Sequence, residues 1–491
     1  MFESAELGRT LDKATYKKEQ PKLREALLEA QFALYESKAF PVIVVIGGVD
    51  GAGKGETVNA LNAWLDPRHI ETNAFREPSD EERDRPPMWR FWRALPPKGK
   101  LGIFFGSWYT LPILARVEGR GSEDELEQRV DEVNRFERML ANEGALILKF
   151  WFHLSKRDQK KRLKRLEKDP KLRWRVTKSD WQRLKIYDRF RTESEHVLRR
   201  TDKAHAPWIV VEGLDERYRT VTVARTILDA LNRRLAKPNE RSKLLAPRPP
   251  AAAGKNVLEG LALAKALDKD QYRKALEKYQ GALNLLSRDK KFHKRHAVIA
   301  VFEGNDAAGK GGAIRRVTEA LDARYYRIVP IAAPTDEERA QPYLWRFWRH
   351  LPRCGHFTIF DRSWYGRVLV ERVEGFAAER DWRRAYSEIN DFEEEMAAYG
   401  IIVAKFWLAI GKDEQARRFK EREATGHKRH KLTEEDWRNR EKWDLYVQAI
   451  CDMVDRTSTE VAPWTLVEAD DKFHARIKVL KTLCGRIERS L

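Results

Sequence analysis

Hydrophobic and polar positions alternate along this chain in two periods. Short apolar runs, Val42 to Ile46 and Val298 to Phe302, each end in a glycine-rich turn and have the length of a buried parallel strand. His356 to Phe360, Ile401 to Leu408 and Trp464 to Glu468 predict three further strands in the second half. Between them apolar residues fall at helical spacing, as over Asp381 to Tyr399, where Gly400 supplies a C-terminal stop. Strands alternating with helices predict an α/β fold: a parallel sheet with helices on both faces.

The whole pattern occurs twice. GVDGAGKG at Gly48–Gly55 returns as GNDAAGKG at Gly304–Gly311, an offset of 310 − 54 = 256. PSDEERDRPPMWRFWRALP from Pro78 returns as PTDEERAQPYLWRFWRHLP from Pro334, and 334 − 78 is again 256. LKFWF around Trp151 and APW at Trp208 keep that offset to Trp407 and Trp464. A tandem duplication follows, with a first domain over 1–235, a Pro- and Ala-rich linker over 236–256 and a second domain over 257–491.

Composition narrows the partners. Among 491 residues, 95 Lys and Arg face 76 Asp and Glu, a formal net charge of +19 that favours an anionic ligand. Cys354, Cys451 and Cys484 have neither paired nor metal-like spacing, which argues against a disulfide scaffold. No stretch of about 18 apolar residues is present, so a cytoplasmic protein without a membrane partner is expected.

Gly304-x-x-x-x-Gly309-Lys310, after a strand and before a helix, is the phosphate-loop pattern. Backbone amides of Gly304, Asn305, Ala308, Gly309 and Gly311 are placed to converge on phosphate oxygens, and Lys310 adds a point charge. Gly311 stands where such loops commonly carry the Ser or Thr that ligates Mg²⁺. Asp306, inside the loop, and Asp361, at the end of the strand FTIF, are the candidate metal ligands instead. Arg362, Arg367 and Arg372 follow Asp361, with Glu371 placed to share a helical face with Arg367. Guanidinium forks suit two phosphate groups brought together for transfer.

Gly411 to Trp437 is rich in cations, among them Arg417, Arg418, Lys420, Arg422, Lys428, Arg429 and Lys431. Its first-copy counterpart is denser, with twelve Lys or Arg against three acids between Lys156 and Lys178. After a late strand, such a segment suits a lid folding cations over phosphates. Trp89, Trp92, Trp345 and Trp348 are expected to pack in the core, with base stacking the alternative for one of them.

FEGNDAAGKGGAI, YLWRFWRHLP, FDRSWYGRVLVERVEGF, KFWLAIGKDEQARRFKERE and TSTEVAPWTLVEADDK together resemble the polyphosphate kinase 2 family. The resemblance covers the second copy and, more weakly, the first. It implies a thymidylate-kinase-like fold with a helical lid, and Mg²⁺-dependent transfer of a terminal phosphoryl from inorganic polyphosphate to a nucleotide. For two-domain members that nucleotide is AMP. It places the loop carboxylate at Asp306, the phosphate lysine at Lys310, the strand-end pair at Asp361 and Arg362, and the helix pair at Arg367 and Glu371. Where family members often carry Asn before the helix Arg, this chain has Gly366.

At the same offset the first copy keeps Asp50 and Lys54 but replaces Asp361, Arg362, Arg367 and Glu371 by Phe105, Gly106, Leu111 and Ala115. Catalysis is therefore expected in the second domain alone. The expected partners are inorganic polyphosphate and AMP, without nucleic acid, and self-association is allowed. Rival readings are a polyphosphate:ADP phosphotransferase making ATP, an ATP-dependent nucleotide kinase, and a polyanion-binding protein without turnover.

Overall fold

The computed structural model describes residues 1–237, 256–425 and 434–491. Two compact units form: Met1–Pro78, Arg90–Leu244 and Pro334–Trp345 make the first, and Ser79–Trp89, Leu245–Ala333 and Arg346–Leu491 the second. Most of the expected linker, and Lys428, Arg429 and Lys431 of the expected lid, lie outside the described residues. No described helix is long and apolar enough to cross a membrane.

Each unit is built on a five-stranded parallel sheet. In the first, β1 (Val42–Gly48), β2 (Ile70–Ala74), β3 (Leu101–Phe105), β4 (Leu146–His153) and β5 (Trp208–Glu212) lie in the order β2-β3-β1-β4-β5. In the second, β6 (Ala297–Gly304), β7 (Tyr326–Pro330), β8 (Phe357–Asp361), β9 (Ile401–Ala409) and β10 (Trp464–Glu468) repeat it as β7-β8-β6-β9-β10. The expected strands are present. The edge strands β2 and β7 carry no such signal, because IETNA and YRIVP expose most of their side chains.

The helices used below are, in the first unit, α1 (Lys13–Ser37), α2 (Lys54–Trp64), α3 (Glu123–Asn142), α4 (Lys156–Lys168), α5 (Lys178–Lys185) and α6 (Glu216–Ala236). In the second they are α7 (Lys269–Ser287), α8 (Lys310–Thr318), α9 (Glu379–Ala398), α10 (Lys412–Ala424), α11 (Glu434–Glu441), α12 (Trp443–Thr457) and α13 (Lys472–Ser490). α9 shows why the pattern folds as it does. Ala385, Ile389, Phe392 and Met396 recur at four- and three-residue steps and are buried against β9. Fully burying each of the Ile, Phe and Met side chains contributes roughly 1.5–3 kcal/mol. On the other face α13 packs on α7, β9 and β10, and Leu283, Leu483 and Ile487 share a core with Val298 and Ala300 of β6.

One buried polar cluster is common to both units. Lys405 Nζ meets Glu393 Oε2 at 2.6 Å and Thr457 O at 2.6 Å, while Tyr365 Oη and Trp364 Nε1 donate to Glu393 Oε1. Lys149, Glu137, Thr201, Tyr109 and Trp108 repeat every partner in the first unit. A buried ion pair is tolerated when its remaining donors and acceptors are filled, as these are. Trp89, Trp92, Trp345 and Trp348 are buried, with Trp348 packed on Phe392 and Trp92 on Phe136.

Candidate functional site

The second unit's site forms where the sheet's carboxyl ends meet. Because β6 and β8 are parallel and Phe302 pairs with Asp361, Asp361 emerges beside the loop that leaves β6. Gly304 has φ +150°, and a Cβ there would fall 2.4 Å from the Leu408 carbonyl oxygen, so a side chain cannot be accommodated. The loop then turns through Ala307, at φ +66°, into α8. Lys310 curls back on that loop, donating to Gly304 O at 2.7 Å and Asn305 O at 3.3 Å. Burial pulls its ammonium below the usual lysine range, opposed by the neighbouring Asp306.

Asp306 is held from two sides. Arg362 donates to Oδ1 at 3.2 Å, and Asn439, on α11 of the lid, donates to Oδ2 at 3.0 Å. Arg362 has φ +65°, a left-handed conformation that favours glycine and strains any other residue. Behind them Glu303 is buried and accepts from Ser363 Oγ at 2.9 Å. Burial raises its carboxyl above the ordinary range, with the Ser363 hydrogen bond opposing. Asp361 lies close enough to act electrostatically on Glu303 and Lys310. Arg367 pairs with Glu371 at 2.8 Å across a 3₁₀ turn and a short helix, rather than along the single helix expected.

The lid is pinned to the loop by its inner face. Gln415 on α10 donates to Asp306 O at 3.1 Å. Arg418, expected to meet phosphate, is committed to protein: it donates to the carbonyl oxygens of Ala307, Ala469 and Asp470 and pairs with Glu414. Arg372 is likewise engaged, with Asp452 at 2.7 Å and Tyr386 at 2.9 Å. Arg417 is exposed and pairs with Glu414 and Glu421. Arg422 is half-buried on the same helix. The lid's second arm is anchored by Glu374, whose buried carboxylate receives Lys442 at 2.8 Å and Arg438 at 3.2 Å.

Asp306 in the loop and Asp361 at the end of β8 beside it, with Glu303 behind, are a hard oxygen donor set, in which Asp306 already accepts from Arg362 and Asn439. They fit Mg²⁺, which keeps several waters and takes few protein ligands. No cluster of three or more metal-binding side chains occurs among the described residues. Three residues at the site were given no role by the sequence: Glu303, inside FEGNDAAGKGGAI, and Asn439 and Arg476, outside any motif. The Arg476 guanidinium lies beside Gly312, 3.2 Å from where a Cβ would stand, and has no ion-pair partner among the described residues. At the fixed offset these become Gly47, Arg183 and Thr220, and that change between copies is the signal that marks them.

The first unit's loop is occupied by its own side chains. Lys54 again donates to the carbonyls of Gly48 and Val49, but it also reaches Asp50 at 3.4 Å. Arg183, on α5, pairs with the other Asp50 oxygen at 2.9 Å. Burial pushes the Asp50 carboxyl up, yet Lys54 and Arg183 outweigh it and hold the group below the ordinary range. Glu56 stands in the first turn of α2, where the second unit has Gly312, and is ringed by Arg162 at 2.9 Å, Arg219 and Arg175. A carboxylate at that helix N-terminus takes the place and the potential that would hold a phosphate.

The polyphosphate kinase 2 (PPK2) family profile matches residues 10–239 and again 266–491. Over 491 residues, 99% of each chain, the sequence is 62% identical to a polyphosphate:AMP phosphotransferase of Pseudomonas aeruginosa. It is 41% identical over 473 residues to one of Acinetobacter johnsonii, covering 94% of this chain and 95% of that one. A crystal structure described as "putative polyphosphate kinase 2 from Pseudomonas aeruginosa PA01" superposes with a TM-score of 0.89 at 59% identity, covering 100% of this chain and 99% of that one. With both copies matched and the phosphate loops, parallel sheets and lid in place, the chain belongs to the polyphosphate kinase 2 family, whose fold is that of a P-loop kinase.

Proposed function

We propose that this enzyme transfers the terminal phosphoryl group of inorganic polyphosphate to AMP, forming ADP, and that the second unit performs the transfer with Mg²⁺. The observation that carries the reading is the set Asp306, Lys310, Asp361 and Arg362, gathered at the carboxyl end of the second unit's sheet, of which the first unit keeps only Asp50 and Lys54. Full-length relatives named polyphosphate:AMP phosphotransferase support the substrates.

The chemistry needs little from a base. An AMP phosphate has its second pKa near ~6, so an anionic oxygen is available at pH 7. The obstacle is repulsion between two polyanions and the charge of an in-line transition state. Lys310 and the amides of Asn305, Ala308, Gly309 and Gly311 cradle the transferred group; Arg362 and Arg367 meet the oxygens on its other side. Asp306 and Asp361 would hold Mg²⁺, which would supply charge neutralisation to the phosphoryl oxygens. Arg417, Arg422 and Lys420 grip the polyphosphate tail, while Arg418 and Arg372 position lid and helix through the protein partners they hold. Closure of α10 and α11 excludes water, which would otherwise compete with AMP.

The test is an ATP-free assay with Mg²⁺ and long-chain polyphosphate, offering AMP or ADP separately. ADP from AMP with little ATP from ADP is expected. ATP formed mainly from ADP would reassign the acceptor, and no product from either would remove polyphosphate as the donor.

A further inference from the structure

The first unit's lid helix carries a surface that its own loop does not use. On α4, Arg157, Lys160, Lys161, Lys164, Arg165 and Lys168 recur at steps of three, one, three, one and three, which is one helix face. All six are exposed. Lys160, Lys164, Arg165 and Lys168 have no ion-pair partner among the described residues, and Arg157 and Lys161 share only the distant Asp158, at 3.6 and 3.8 Å. The opposite face is fully committed: Leu163 is buried, Gln159 donates to Asp50 O at 2.9 Å, and Arg162 pairs with Glu56.

The second copy gives the control. α10 docks by the same face, through Gln415 to Asp306 O and the buried Phe419. Yet its six outward positions are Asp413, Ala416, Arg417, Lys420, Glu421 and Ala424, with no net charge against six positive charges on α4. The fold therefore does not require the cations. Like charges at three- and four-residue spacing repel one another, and a helix keeps such a row at a cost unless an anion lies along it. The row is straight, about 16 Å long at ~1.5 Å per residue, and holds no aromatic ring on which a base could stack. The nearby Trp174 is exposed but covered by Arg175, 5.3 Å from its ring centre.

We propose that this outward face of α4 is a second binding surface for inorganic polyphosphate, holding a long chain by its backbone charges. It rests on the reading of polyphosphate as donor, and it assigns the first unit a task that needs no catalytic loop. The experiment gives the full-length enzyme the second copy's residues: Arg157→Asp, Lys160→Ala, Arg165→Glu and Lys168→Ala together. Binding of labelled long-chain polyphosphate, and of single-stranded RNA of matched charge, is measured across salt concentration, with KM and kcat for long and short polyphosphates alongside.

Polyphosphate affinity is expected to fall at least tenfold, with a log–log salt slope shallower by about three. KM for the long chain should rise with it, while kcat and the short-chain KM stay unchanged. Unaltered polyphosphate binding would overturn the proposal and leave a solvated face. A loss confined to RNA would overturn polyphosphate as its ligand. Binding is read without turnover, so a protein that binds polyphosphate through this face but phosphorylates nothing would refute the proposed activity and not this surface. Should the quadruple variant fail to unfold cooperatively, Lys164→Gln and Lys168→Gln at exposed positions read the same change, about two- to threefold each.

Discussion

In the second unit the loop carboxylate of Asp306 is shared between Arg362 and the neutral amide of Asn439, and the first turn of α8 is bare glycine. In the first, Asp50 is closed between Lys54 and the permanent charge of Arg183, and Glu56 fills the helix end among three arginines. Meanwhile the buried Lys–Glu–Tyr–Trp clusters agree partner for partner. Upkeep of the fold and upkeep of the chemistry are thus separable in one chain. The first copy retains the buried lysine–glutamate cluster partner for partner, whereas around its phosphate loop it keeps Asp50 and Lys54 but has replaced Asp361, Arg362, Arg367 and Glu371.

The sharpest attempt to break this contrast is a matched pair of variants. Lys310→Ala should lower turnover by about three orders of magnitude, since a fixed cation at developing charge is worth several kcal/mol; Lys54→Ala should change it less than twofold. Comparable losses in steady-state kinetics would show that both loops work.

The shared framework predicts symmetry instead. Lys149→Met and Lys405→Met should each destabilise their unit by about 3–5 kcal/mol, because each leaves a buried glutamate unpaired. Denaturant melts of the two variants would expose any inequality.

Arg362→Gly installs the first copy's residue on the same left-handed backbone, where Gly106 has φ +75°. Activity should drop about a hundredfold or more, while stability holds or rises by about 1 kcal/mol as the strain is relieved. A variant less stable than the parent would show that the strained backbone is not held for the arginine's sake. Asn439→Arg copies the Arg183 clamp onto Asp306. It should cost roughly tenfold in turnover and raise the Mg²⁺ concentration needed for half activity; an unchanged Mg²⁺ requirement would detach Asp306 from the metal.

The smallest effect is acid stability. Burial raises the Glu468 carboxyl, but Lys478 and Lys265 more than reverse it, to about 2. A depressed folded pKa contributes stability above the ordinary value near ~4.5 that is lost as pH falls toward about 2. Glu468→Gln should therefore flatten the acid limb of thermal stability in that window. An unaltered limb would place the linkage elsewhere.

Much of this was legible in the chain. The duplication at a constant offset, the buried strands as short apolar runs, the phosphate loops, and the loss of four site residues in the first copy all follow from residue order. They do so because burial and backbone geometry act locally: a buried strand must be apolar throughout, and a loop that wraps phosphate must be glycine-rich. β2 and β7 stayed hidden because edge strands bury too little to leave a pattern.

Only tertiary structure decided which cations are tied to distant backbone and which stay at the surface. Arg418 and Arg417 are neighbours in sequence, yet one is committed to the carbonyls of Ala307, Ala469 and Asp470 and the other lies exposed, paired only with Glu414 and Glu421 of its own helix. Asn439 reaches Asp306 across 133 residues, and Arg183 reaches Asp50 across the same separation. Periodicity fixes the face of a helix on which a side chain lies. Whether that face meets a carboxylate, a carbonyl or water depends on chain folded in from elsewhere.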